Sequence, residues 1–328
     1  MAIRIISASQ VRELLPMAEC IEVMATAMAA ASAGEVALPP RLFAPLFDER
    51  GSLGLMPGSS PKLNSYGAKL ITLHPHNPER GLPTIQGFVT LFDRDSGSPV
   101  ALVEGGEITA LRTAAASGLA TRLLARQEAS SCGVFGTGAL AVSHIDAMRA
   151  VRPVERIKVW GRDSLKTAAF ASAQSQRLGL PVQAVADPAE AAACDLICTV
   201  TGSPKPILQG DWVKPGSHVN LVGAYSLTTR EADSNLIAKA RLYVDLLEAA
   251  RSEAGDLMIP VSEGVISEAA IVGELGQLQL GGIAGRGDAG QITVYKSLGM
   301  VAQDLFAADY VYQKALATGV GVSVDLQG

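Results

Sequence analysis

The sequence predicts an α/β protein in two parts, a doubly wound parallel sheet formed by the chain from Ser131 onward and a separate α+β domain in front of it. Three observations predict this. From Ser131 on, short β-rich runs alternate with Ala-rich helical runs, the pattern of a parallel sheet wrapped by helices. A glycine turn, Gly136-Thr137-Gly138-Ala139-Leu140-Ala141, follows the apolar run 132–135 in the middle of the chain, which leaves room for a domain ahead of it. The first third instead shows helical signals and then a succession of strands, the pattern of an antiparallel α+β unit.

Helical signals at 9–15 and 17–33 open the chain. The Ala/Met-rich part of the second, 23–33, follows Glu19 and Glu22, is only about three turns long and ends at Gly34-Glu35, so it reads as a buried helix rather than a membrane span. Met1-Ala2-Ile3-Arg4-Ile5-Ile6-Ser7 runs into polar Ser9-Gln10-Val11-Arg12-Glu13 too soon for a signal peptide. Strands are expected near 41–47, 52–57, 66–73, 85–92 and 99–103, with the polar turn Asp93-Arg94-Asp95-Ser96-Gly97-Ser98 between the last two. An open sheet of this kind pairs across a dimer. A helix over 109–125 leads into the second domain, whose strands are expected at 132–135, 157–160, 182–185, 196–199, 218–222 and 241–244. Helices over 139–149, 165–178, 188–193 and 231–238 connect them, and a last helix, 302–316, packs back on the first domain. The expected domains are therefore 1–118 with 305–328, for substrate binding and dimerisation, and 119–304, for a dinucleotide.

Of the 328 residues, 48% are hydrophobic and 18% charged, which suits a globular protein with two substantial cores. A net charge of -5 without a basic, aromatic-interleaved cluster argues against nucleic acid as a partner, and no segment reads as a membrane span. Cys20, Cys132, Cys194 and Cys198 are scattered and mostly in apolar segments, as expected of reduced thiols in a cytoplasmic protein. Cys194 and Cys198 with His218 lack the paired short loops of a zinc site, and His74-Pro75-His76 reads as a loop with exposed imidazoles, so no metal is expected. His144 reads as a packing residue of its helix.

The glycine turn carries the first chemistry. Gly136 permits the tight strand-to-helix turn, Gly138 lets backbone amides approach a pyrophosphate, and Ala141 replaces a third glycine where helix and strand pack. Gly136, Thr137, Gly138, Ala139 and Leu140 would then cradle the anion at the positive end of the helix over 139–149. After the second strand, in Trp160-Gly161-Arg162-Asp163, the place that holds an acid in NAD enzymes is Gly161. Arg162 beside it suits a 2′-phosphate, so NADP(H) is preferred and NAD(H) possible; Asp163 would reverse this if it took the acid's place.

Three cations carry the second. Arg112 shares a helix face with Ile108, Ala115, Ala116 and Leu119, in what reads as the first turn, where the helix dipole disfavours a cation. It calls for an anion, with Glu104 or Glu107 as the alternative to a ligand. Lys69 lies on a strand face with Gly67, Ile71 and Leu73, the alternative being an edge-strand lysine that guards against aggregation. Arg41 follows Pro39-Pro40. Together the three suit a substrate carboxylate.

Lys69, Arg112-Thr113-Ala114-Ala115, the Gly136 turn, His218-Val219-Asn220-Leu221-Val222-Gly223-Ala224 and Ile292-Thr293-Val294-Tyr295-Lys296-Ser297-Leu298-Gly299 occur in one order. This set resembles the ornithine cyclodeaminase and mu-crystallin family over nearly the whole chain. The resemblance implies a homodimer, a Rossmann-type dinucleotide domain with a split substrate domain, and an α-carboxylate held by Arg41, Lys69 and Arg112. It also implies dinucleotide contacts at Thr113, Val222 and Gly223, with the segment from Lys296 to Gly299 closing over the cofactor. One departure stands out: family cyclodeaminases carry an aspartate shortly after the last sheet strand, where this chain has Tyr225. The run Tyr225-Ser226-Leu227-Thr228-Thr229-Arg230-Glu231 is more similar to the imine-reductase members, which reduce Δ1-pyrroline-2-carboxylate and Δ1-piperideine-2-carboxylate to proline and pipecolate. The expected activity is thus NADPH-dependent reduction of a cyclic ketimine, with Lys69 supplying the proton as the catalytic acid. The alternatives are an alanine-type amino-acid dehydrogenase, an ornithine cyclodeaminase and, in another class, a mu-crystallin-like NADPH-bound binding protein.

Overall fold

The computed structural model describes residues 2–325; Met1 and residues 326–328, which the expected first domain includes, lie outside the described residues. In chain order, β1 (Ala2–Ile6) leads to α1 (Ala8–Leu14), α2 (Met17–Ser32), β2 (Leu42–Pro45), β3 (Ser52–Ser59), β4 (Ser65–Leu73), β5 (Ile85–Asp93), β6 (Pro99–Glu104) and α3 (Gly105–Leu124). There follow β7 (Ser131–Phe135), α4 (Ala139–Val151), β8 (Arg156–Trp160), α5 (Ser164–Leu178), β9 (Val182–Ala184), α6 (Pro188–Ala192), β10 (Leu196–Thr199) and β11 (His218–Leu221). The chain continues through α7 (Ser234–Lys239), β12 (Ala240–Val244), α8 (Leu247–Glu253), α9 (Gly255–Ser262), β13 (Ile271–Glu274), α10 (Leu275–Gln279) and β14 (Ile292–Lys296). It closes with α11 (Val301–Thr318) and β15 (Val322–Asp325). Two compact units result: one runs to Arg112 and resumes at Met300, the other is Thr113–Gly299. The divisions at 112/113 and 299/300 stand against the 118/119 and 304/305 read from the sequence.

The first unit is built on a seven-stranded sheet of order β15-β1-β6-β5-β4-β3-β2. Its pairings are antiparallel except β1 with β6. β1 and β15 escape the sequence reading because each is short and pairs with the opposite end of the chain. β4 is interior, with Lys69 opposite Met56 on one side and Val89 on the other, so Lys69 is no edge-strand lysine. Strand alternation turns Ser65, Gly67, Lys69 and Ile71 inward. α11 packs across β3, β4 and β5 and along α2, burying Leu305, Phe306, Ala308 and Val311 with Met24 and Met28. Each large apolar side chain so covered contributes about 1.5–3 kcal/mol. The opposite sheet face leaves Leu53, Leu55, Tyr66 and Phe88 exposed.

α3 begins at Gly105, four residues before the expected start at 109, because the Glu104 carboxylate accepts the free amides of Gly106 (2.8 Å) and Glu107 (2.7 Å). The two glycines hid this start from propensity. Arg112 consequently lies in the third turn of the helix, and the dipole argument drawn from a first-turn position does not apply.

The second unit holds an eight-stranded sheet of order β13-β12-β14-β11-β10-β7-β8-β9, all its pairings parallel. From β7 the chain steps outward through β8 and β9, then returns to the other side of β7 with β10. The C-terminal ends of β7 and β10 therefore form the switch point at which open parallel sheets bind ligands. Strands β13 and β14 and helices α8, α9 and α10 are additions to the elements expected from sequence; β14 ends in a lysine, Lys296, that is fully buried. The helix expected over 231–238 starts at Ser234, because Asp233 caps it by accepting from the Leu236 amide and Glu231 is engaged elsewhere.

Arg152, directly after α4, is 5% exposed and closes the end of α3. Its guanidinium donates to the carbonyls of Thr121 (3.0 Å), Arg122 (3.0 Å), Ala125 (2.8 Å) and Arg126 (2.8 Å). These carbonyls lie in the last turn of α3 and just beyond it, where backbone partners run short. Arg152→Met should cost about 2–4 kcal/mol and lower the melting midpoint by roughly 5–10 °C in differential scanning calorimetry. A midpoint within a degree of wild type would show that water replaces these bonds without loss.

Candidate active site

In the first unit the predicted cations do meet. Lys69 is 2% exposed and Arg112 6% exposed, and both close on a carboxylate the sequence reading did not single out, Asp304 in the first turn of α11. Asp304 is fully buried, with Oδ2 2.8 Å from Lys69 Nζ and Oδ1 3.0 Å from Arg112 Nε. Gln303 Oε1 accepts a second bond from Arg112 Nη1 at 2.6 Å. The acids considered as partners of Arg112 are taken: Glu104 caps α3, and Glu107 pairs with Arg12 at 2.7 Å. Arg41 is half-buried, lies 6.0 Å from the centre of the Phe43 ring, and its charge reaches Lys69. Burial pulls the Lys69 pKa down to about 8; Asp304 opposes the fall, and Arg112 and Arg41 add to it. Two buried cations, Lys69 and Arg112, thus share one internal carboxylate, and Arg41 adds its charge to Lys69, a setting that suits a further anion. Asp304 eluded the sequence reading because an acid in the first turn of a helix ordinarily needs no partner beyond the helix dipole.

In the second unit the glycine turn lies at the switch point. Gly136 has φ +120°, and a Cβ there would come within 2.8 Å of the Val200 carbonyl, so this turn requires glycine. Thr137 and Gly138 follow, and α4 begins at Ala139 and Leu140 without a side-chain cap. Around Gly138 a Cβ would meet nothing within 4 Å, so open space adjoins uncapped amides, as a pyrophosphate requires. Beyond β8, Arg162 is exposed and makes no hydrogen bond or ion pair among the described residues. Asp163 caps α5 by accepting from the Lys166 amide at 3.0 Å, which commits one of its oxygens to the helix. Thr113 is the first residue of this unit and nearly buried.

The loops after β10 and β11 are pinned by a second residue the sequence reading did not assign. Glu231, fully buried, accepts from Thr199 Oγ1 (2.8 Å), Thr201 N (2.8 Å), Thr201 Oγ1 (2.7 Å) and Gly223 N (2.6 Å). Gly223 must be glycine here, since a Cβ would lie 1.9 Å from the Thr201 carbonyl. Val222 is buried beside it. Asp256 Oδ1 accepts from the amides of Glu231 (2.7 Å) and Ala232 (3.1 Å), and its Oδ2 lies 2.9 Å from Lys296 Nζ. Lys296 also donates to the Ala224 carbonyl at 2.5 Å, so its ammonium faces the protein interior and steadies the Gly223–Ala224 backbone. Burial, and then the Asp256 charge, push the Glu231 carboxyl up from its ordinary range. Asp245 holds the other end of the Lys296 to Gly299 segment, accepting from Leu298 N (2.8 Å) and Gly299 N (2.7 Å). Glu231 sat inside an expected helix, which is why its role was not legible.

The remaining candidates supply no bond to either cluster among the described residues. His76 is exposed and 3.0 Å from Glu79; His144 is fully buried, 3.1 Å from Ser117 Oγ, with burial pulling its pKa down to about 4. All four cysteines are free and buried. Tyr225, in the place of the cyclodeaminase aspartate, is 57% exposed.

The profile of the ornithine cyclodeaminase/mu-crystallin family matches residues 2–319. A Δ1-pyrroline-2-carboxylate reductase of Bacillus cereus is 38% identical over 323 residues, 98% of this chain and 99% of its own. The ketimine reductase mu-crystallin of Mus musculus is 38% identical over 281 residues, 85% of each chain. Among solved structures, the Δ1-pyrroline-2-carboxylate reductase of Thermococcus litoralis in complex with NADH and L-proline has a TM-score of 0.94 at 34% identity, covering 98% of this chain and 100% of that one. With a profile match and end-to-end identity of this extent behind the motifs and the two-unit fold, the chain belongs to the ornithine cyclodeaminase/mu-crystallin family.

Proposed function

We propose that the protein reduces a cyclic 2-imino acid, Δ1-pyrroline-2-carboxylate or Δ1-piperideine-2-carboxylate, to the cyclic L-amino acid with a reduced nicotinamide dinucleotide, NADPH in preference to NADH. The observation that carries this reading is the buried cluster of the first unit, where Lys69 and Arg112 share the single carboxylate of Asp304 and Arg41 adds its charge to Lys69, a setting that an α-carboxylate suits. Relatives named as reductases of such imines, one of them solved with NADH and L-proline, support it.

Arg112 and Arg41 bind and orient the carboxylate, which fixes the imine relative to Lys69. Lys69 holds the proton: its ammonium gives one H⁺ to the imine nitrogen as the C=N bond is reduced, and the amine left behind takes a proton back from water. A bound reduced nicotinamide supplies the hydride. Gly136, Thr137, Gly138, Ala139 and Leu140 hold the pyrophosphate at the start of α4, and Val222 and Gly223, steadied by Glu231 and Lys296, present backbone to the dinucleotide with Thr113. Arg162, which is exposed and bonds to nothing among the described residues, meets the 2′-phosphate. Tyr225 brings no carboxylate to a second substrate amine, which disfavours ornithine cyclodeamination. The exposed face carrying Leu53, Leu55, Tyr66 and Phe88 suits pairing with a second copy, so the protein acts as a homodimer.

Three outcomes test this. In steady-state assays the two cyclic imines should consume NADPH, pyruvate with ammonia should not, and ornithine should release no ammonia; turnover of ornithine at rates rivalling imine reduction would overturn the assignment. Because Lys69 must be protonated to act, kcat/KM should fall as pH rises through about 8. Lys69→Met should lower turnover and abolish that limb. Arg112→Met should keep a limb yet lose roughly two to three powers of ten in kcat/KM, and wild-type turnover in the Lys69 variant would remove it from the chemistry. Arg162→Ala should raise KM for NADPH far more than for NADH, and equal effects would sink the 2′-phosphate assignment.

A further inference from the structure

Asp304 has a placement that helix stability does not explain. A first-turn acid gains from the helix dipole at the surface, whereas burying it fully exacts a desolvation cost that only close cations offset. Those cations are Lys69 and Arg112, and each takes a different oxygen. The carboxylate therefore spans the two groups rather than neutralising one of them. The charges that bear on Lys69 are Asp304 from α11, Arg112 from α3 and Arg41 ahead of β2; the flanking strands β3 and β5 place apolar Met56 and Val89 opposite it, and Cys20 of α2 lies near Arg112. The Cys20 thiol, pushed up to about 12 by burial, is neutral, and both arginines repel an ammonium. Asp304 is the one group in this set that favours the proton on Lys69.

We propose that Asp304 is a positioning residue for the reaction, fixing the spacing between Arg112, which receives the substrate carboxylate, and Lys69, and keeping the Lys69 nitrogen protonated for transfer to the imine. This rests on the imine-reductase reading. Asp304 exchanges no proton itself: the N–H bond that breaks is on Lys69, the one that forms is on the imine nitrogen, and water restores the lysine.

Asp304→Asn separates the two roles, since the amide oxygen can still accept from Arg112 while the charge is gone. Its kcat/KM profile should have an alkaline limb at least ~1 pH unit below that of wild type, with kcat at pH 8 down roughly tenfold or more and KM at pH 6 changed less than about threefold. Arg112→Met, which removes a repelling charge, should move the limb the other way. Acetylation of Lys69 by acetic anhydride, followed by peptide mass spectrometry, reads the same proton without turnover and should begin at lower pH in the Asn variant. Asp304→Glu keeps the charge but alters the spacing: its limb should stay near wild type while KM rises. A limb and an acetylation profile that coincide with wild type in Asp304→Asn would reduce Asp304 to a structural ion pair. If that variant does not fold, a displaced limb in Asp304→Glu would overturn the proposal in its place. Failure of wild type to reduce either imine would instead remove the proposed activity, leaving the acetylation comparison to decide the role of Asp304.

Discussion

A buried ammonium and a buried guanidinium repel each other and each carries a desolvation cost, so they stand side by side only if an anion lies against both. Much of the first unit's architecture follows from that constraint. The anion, Asp304, is supplied by α11, close to the end of the chain, and α11 has to lie across β3, β4 and β5 for its first turn to reach Lys69 and Arg112. The apolar residues of α11 and α2 supply the packing energy that holds it there. One carboxylate is shared by two buried cations, so neither Lys69 nor Arg112 is neutralised by a partner of its own.

The second unit applies the same principle to backbone. Loops at the ends of parallel strands carry amides and carbonyls with no ladder partners, and here buried carboxylates supply them. Glu231 ties the ends of β10 and β11 together, Asp256 ties Glu231 to Lys296, and Asp245 ties down the segment after β14. The turn of β7 into α4 at Gly136 can then remain uncapped and open, because the rigidity it needs comes from the neighbouring strands. Pre-organisation of this kind is what allows a ligand to be bound without ordering loops at the moment of binding.

In both clusters the role of a charged residue follows from its partners in space. Exposed Arg162 and capping Asp163 adjoin each other in sequence, yet one is free for a ligand while the other has an oxygen committed to its helix. Lys69 and Lys296 are both buried lysines, yet one shares its carboxylate with Arg112 and the other has a carboxylate of its own. The difference lies in the partners, which sequence spacing does not reveal.

Local periodicity and turn chemistry were enough to read the alternating strands and helices from Ser131 to Val244, the glycine turn at Gly136, the inward face of β4 and the Arg112 stripe, because each depends on residues within a few positions of one another. The same local reading missed β1 and β15, whose pairing joins the two ends of the chain, and started α3 and α7 at the wrong residues, because caps from Glu104 and Asp233 outweigh propensity. What Lys69, Arg112, Lys296 and Glu231 do was decided by tertiary structure alone. Their partners are Asp304, Asp256 and the backbone of distant loops, and the energy of a buried charge is set by what lies within a few ångströms in space, whatever the distance along the chain.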